Sequence, residues 1–169
     1  MIKKLSILSI LLLAFTAMAN QTPINLQDDA LEKSQQNIEL MEKICTSITQ
    51  NCDPKQMEAH EKSLLATIDT YLESCLQDKA KAHKTQDLET QANNLLQYLL
   101  SETKQDEAYA IASMIFMINW SKHINEIAVK IEDSQKAENL QEAIEKVSAM
   151  VEKIFLEPMA KLLEENQSE

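Results

Sequence analysis

The stretch AYAIASMIFMINW, Ala108 to Trp120, is apolar throughout except at Ser113 and Asn119. On a helical projection Tyr109, Met114, Phe116, Met117 and Trp120 share a face with Ile124, Ile127, Ala128 and Ile131, which predicts a core stripe. Ile111, Ile115 and Ile118 fall on a different face, which further along carries Lys122, Asn125 and Glu126. The first half of this helix is therefore apolar on two sides and the second half on one. Two readings follow. Either other helices wrap the first half at the centre of a bundle, or Ile111, Ile115 and Ile118 form a surface for a protein partner or a homodimer.

Outward from this segment, the apolar spacing predicts four more helices. Leu31, Ile38, Met41, Cys45 and Ile48 mark one from about Asp28 to Thr49, and Asn51-Cys52-Asp53-Pro54 should end it. Asp53 is a good N-cap for the next, with Pro54 at the first helical position, where its missing N–H costs nothing. That helix presents Met57, Leu64, Ile68, Tyr71 and Cys75 and should end among Lys79, Lys81 and Lys84. Thr85 is expected to cap a third, striped by Leu88, Ala92, Leu95 and Leu99, and Thr103 to cap the apolar fourth, which runs to about Glu132. The fifth starts near Asp133-Ser134, with Leu140, Ile144, Val147, Val151 and Ile154 spaced like a coiled-coil seam. Pro158 should kink or break it, leaving a short tail. The predicted architecture is an all-α, up-and-down antiparallel bundle of about five helices forming a single domain over 28–165, with helices one and two as a hairpin.

The chain has 169 residues and no glycine. That removes the P-loop, the dinucleotide-binding fingerprint, the nucleophile elbow and the kinase loop. It also leaves every helix to end without the usual left-handed glycine, for which Asn51 is the natural substitute after helix one.

Residues 1–19 read as a signal peptide. Lys3 and Lys4 precede the apolar run Leu5 to Phe15, and Ala17-Met18-Ala19 has the small-x-small cleavage pattern. The run is too short to span a bilayer, which takes about 20 residues, and 20–27 read as a disordered leader. Export to a periplasmic or secreted location follows, with no membrane span after cleavage. The mature chain would carry 14 lysines against 27 acids, and no arginine. Nucleic acid and anionic membranes need basic patches and are excluded as partners.

Export also implies oxidation of paired cysteines. In a straight hairpin Cys75 lies roughly 22 Å beyond Cys45's neighbours, so Cys45 and Cys52 are the predicted disulfide, provided that helix one stops between them. Cys75 is then a buried thiol or an intermolecular disulfide.

Chemistry is sparse. No His-Glu-x-x-His or Glu-x-x-His occurs, so no di-iron or zincin motif is present, and no metal site or cofactor is expected. His60, His83 and His123 read as boundary or surface residues, and no carboxylate pair stands out as acid and base. Of the sequons at Asn20, Asn119 and Asn166, Asn119 lies in the apolar helix, a poor acceptor position. The expectation is an exported non-catalytic protein, not an enzyme, acting through protein–protein contact as an adaptor, inhibitor or chaperone-like factor. The alternative is a small-molecule or haem carrier using the bundle interior.

Overall fold

The computed structural model describes residues 28–77 and 85–165, except for the side chains of 28–34 and 163. The signal peptide at 1–19, the leader at 20–27, His83 and the lysines at 79, 81 and 84 lie outside the described residues. Every regular element among the described residues is helical: α1 (Asp28–Ile48), α2 (Pro54–Gln77), α3 (Gln86–Glu102), α4 (Gln105–Ala128), α5 (Ser134–Val151) and α6 (Glu157–Glu165). A 3₁₀ turn, Thr49–Asn51, follows α1, and a π turn, Glu152–Leu156, joins α5 to α6.

Helix α4 sits at the centre, packed against α1, α2, α3, the π turn and α6. From Ala110 to Ser121 every residue is buried. Ile111, Ile115 and Ile118 retain 0, 4 and 6% of their surface, so the second stripe is core and not a partner surface. The physical reason is that α4 is enclosed on both apolar sides by its own chain. Its polar residues are satisfied inside the helix. Ser113 Oγ donates to the Ala110 carbonyl, Asn119 Nδ2 to that of Ile115, and Ser121 Oγ to that of Met117. Their burial thus strands no hydrogen-bonding group.

The outer helices follow their predicted stripes. Leu88, Ala92, Leu95 and Leu99 of α3 are fully buried, as are Leu64, Ile68 and Cys75 of α2. Leu140, Ile144, Val147 and Val151 of α5 point inward, and Phe155 of the π turn meets Phe116 of α4 at 6.2 Å between ring centroids. Helices α2 and α3 run antiparallel: Asp53 reaches Tyr98 near one end of the pair, and Ser63 Oγ donates to Gln91 further along. Helices α1 and α2 are not the close hairpin expected. The close neighbour of α1 is α4, whereas α2 rests on α3, α4 and α5, because the two-sided α4 offers α1 the larger apolar surface.

The helix ends show how a chain without glycine stops. No described residue has positive φ, so Asn51 is not the left-handed terminator expected of it. Instead α1 tightens into the 3₁₀ turn, Cys52 N–H donates to the Thr49 carbonyl, and Cys52 turns extended at φ −79°, ψ 151°. Thr103 does the same for α3. It is extended, and both its N–H and its hydroxyl donate to the Leu99 carbonyl. Thr103 therefore closes α3, and Lys104 takes the N-cap position of α4. Thr85 precedes α3 but makes no side-chain cap; its hydroxyl donates to Glu89. Asp133 does cap α5, accepting from Gln135 N and Lys136 N, and Asp53 Oδ1 accepts from Lys55 N at the start of α2.

Pro158 neither breaks nor ends the last helix. In α geometry its absent N–H would leave the Ile154 carbonyl unpaired and its ring would press on that turn. The π turn over Glu152–Leu156 lies just there, and the helical path continues into α6.

If Ile111, Ile115 and Ile118 are core, Ile115→Glu places an unpaired carboxylate in an apolar interior, and the cooperative unfolding transition should disappear. Ile115→Ala, which only removes contacts, should cost about 2–5 kcal/mol in urea denaturation while leaving the fold intact. A folded, monomeric Ile115→Glu protein would return the stripe to the surface.

Candidate functional site

The described residues offer three places where chemistry could be done: the cysteines, the polar seam where α1, α2 and α4 meet, and a cleft beside α5.

All three cysteines are buried free thiols. The Cys45–Cys52 disulfide is therefore corrected. The condition for it was that α1 stop early, but α1 holds to Ile48 and the 3₁₀ turn carries the helical path to Asn51. Seven residues of nearly continuous helix keep the two on the order of 10 Å apart, beyond the roughly 7 Å a disulfide tolerates. Cys45 points instead into the core, where burial, with Glu61 and Glu42 adding to it, pushes its thiol from 9.0 up to about 12. Burial, and secondarily Glu102, raises Cys52. Cys75 is fully buried and hydrogen-bonds with Tyr71, one turn earlier on α2. Desolvation raises its thiol despite the opposing bonds from Tyr71 and Ser74 and the charge of Lys146. Thiolates are the reactive species, so none of the three is built as a nucleophile.

The polar seam begins where the second face of α4 turns from isoleucine to charge. Lys122 pairs with Glu42 of α1. The next residue, His123, reaches α2, with Nε2 2.7 Å from Asp69 Oδ1 and Nδ1 2.9 Å from the Asn119 carbonyl oxygen. Half-buried Glu61 of α2 faces the same seam. Desolvation raises its carboxyl, Lys122 pulls it back down, and Glu42 and Glu58 push it up again. Two adjacent basic residues on α4 thus hold one acid on each of two other helices. His60, at the other end of α2, stacks on Tyr98 with 5.0 Å between centroids. Both described histidines occupy the boundary positions expected of them.

The cleft exists because α5 makes its close contacts with α2 rather than with α4. Trp120, Ser121, Ile124 and Asn125 form one wall, and Ile144, Val147, Ser148 and Val151 the other. Its volume of about 30 Å³ is room for one or two waters, well short of the roughly 300–1,000 Å³ of small-molecule sites. Among the described residues no three His, Cys, Asp or Glu side chains converge as metal ligands, and no helix is long and apolar enough to cross a membrane. Spacing pointed to none of the cross-helix contacts here, since Glu42, Asp69 and Lys122 are unremarkable in a chain with so many charges.

No protein-family model, curated protein or solved structure matches the chain.

The buried thiols make stability fall in alkali. Below pH 9 Cys45 is protonated whether folded or unfolded, so its contribution is constant there. Between 9.0 and about 12 only the unfolded chain loses the proton, and stability should drop by about 1.4 kcal/mol per pH unit from this group alone. Urea midpoints across that window should show the slope, and Cys45→Ala should make it shallower, leaving the part due to the raised Cys52 and Cys75 thiols. Under native conditions at neutral pH a thiol-specific reagent should label no cysteine within the time that it labels all three in urea.

Proposed function

We propose that the chain is an exported, non-catalytic helical bundle, up-and-down in plan, that acts through protein–protein contact at its outer surface. The observation carrying this reading is the filled interior. From Ala110 to Ser121 every residue of α4 is buried, and the cleft beside it admits about 30 Å³, which favours recognition at the outer surface. A cavity of that size also weighs against the carrier alternative, because a haem needs hundreds of Å³.

The surface suits a soluble partner of opposite charge. Mature protein would bear a net charge of −13 without a single arginine, which favours fast, salt-sensitive encounter with basic surfaces. Among the large apolar side chains of the described residues, only Leu40 on α1 and Val129 after α4 are exposed, at 49 and 64%. Export rests on the leader: two lysines, an apolar run of eleven residues and Ala17-Met18-Ala19.

Both parts are measurable on protein recovered from cells. The exported fraction should hold a chain beginning at Asn20, and Ala19→Asp should leave the precursor uncleaved. Material purified from that compartment should show no Soret absorption and no stoichiometric metal. It should also co-purify with a protein in fixed ratio, and about threefold more salt should weaken that complex. A Soret band, or a chain that keeps residues 1–19 inside the cell, refutes the reading.

A further inference from the structure

We propose that His123 is a proton-dependent latch that ties α2 to α4 beside Trp120. The geometry carries this. Nδ1 lies 2.9 Å from the Asn119 carbonyl oxygen and Nε2 2.7 Å from Asp69 Oδ1. Both neighbours are acceptors. A neutral imidazole has one N–H and would turn its bare nitrogen toward an oxygen lone pair, whereas the imidazolium donates to both. The His123 side chain is 17% exposed and that of Asp69 58%, so the imidazole is the sheltered partner of the pair. The latch is therefore closed when the ring is protonated and loosens when the proton leaves.

Charged groups stand on each of the helices near the ring, with Glu73 one turn beyond Asp69 on α2. Helix α2 contributes Asp69, and its Glu61 faces the adjacent Lys122. Helix α1 contributes Glu42, which is engaged by Lys122, and α4 itself adds Glu126. On α3, Glu89 is taken by Thr85 and Glu102 acts on Cys52 and Tyr98. On α5, Glu142 and Lys146 act on the Tyr71–Cys75 pair. The π turn meets α4 through Phe155 on Phe116. Of the two cross-helix pairs on α4 only His123–Asp69 contains an imidazole, so it is the link on which a proton can act.

Its position gives the latch reach. Trp120 is one turn before His123, and its ring lies 6.2 Å from that of Tyr71, two residues beyond Asp69. Trp120 is also a wall of the cleft between α4 and α5. Loss of the ring's charge and of one of its two N–H donors weakens the hold on Asp69 and lets α2 shift against α4 at that contact, so acidity tightens this end of the bundle and alkalinity loosens it.

The chain's single tryptophan reports the change. Emission of Trp120 and the Tm of the full chain would be followed from about pH 5 to about pH 9, across the range in which histidine titrates. Wild-type emission should change in one step. Because the contact needs the protonated ring, Asp69→Asn should lower Tm by about 2–4 °C at the acid end and leave it unchanged at the alkaline end. His123→Gln should abolish both the emission step and the pH dependence of the Asp69→Asn effect. Asp69 is exposed, so Asp69→Asn tests the latch even if His123→Gln does not fold. An equal cost of Asp69→Asn at both ends, or a wild-type emission step surviving in His123→Gln, overturns the proposal.

Discussion

A helix that is apolar on two sides cannot lie on the outside of anything. That constraint on Ala108 to Trp120 organises the rest of the molecule. Burying it takes neighbours on both sides, and α1, α2, α3, the π turn and α6 supply them. Each outer helix then needs only one apolar stripe, which is what their sequences carry. The cost of burying Ser113, Asn119 and Ser121 is met within α4 by bonds to its own carbonyls. A core of this kind leaves little space for a ligand.

The missing glycine acts at the other end of the scale, one residue at a time. Helices normally stop by a residue of positive φ, and here none is described. The chain ends α1 and α3 with a tightened turn or a threonine hydroxyl, followed by extended backbone. The same economy appears at Pro158, where a π turn absorbs the missing hydrogen bond and spares the helix a break. Because α1 winds almost to Cys52, the two cysteines nearest in sequence are held apart. One backbone detail thereby decides between a disulfide and three buried thiols.

Where α4 loses its second apolar side, charge replaces packing. Lys122 and His123 each hold an acid on a different helix, so the halves of α4 are bound to their surroundings by different physics. The stretch from Ala108 to Trp120 carries no charged side chain, whereas the half beyond it is tied by ion pairs of the kind that salt screens. That half lies next to Trp120 and the small cleft between α4 and α5.

Helical class, the inward stripes and the two-sided apolar character of α4 were legible in residues 105–154, because a 3.6-residue period survives any arrangement of neighbours. The Asp53 and Asp133 starts were legible too, since a cap depends only on residues within one turn. Other features were not. Whether Ile111, Ile115 and Ile118 faced a partner or the core depended on which helices lay beside them. So did the choice of α4 over α2 as the neighbour of α1. The fate of Cys45 and Cys52 rested on where α1 unwound, and His123 met Asp69 only because two distant segments were brought together. Sequence alone determined what each helix had to bury, through local periodicity and capping. Tertiary structure alone decided what was buried against what, because packing partners are set by the sum of contacts across the whole bundle.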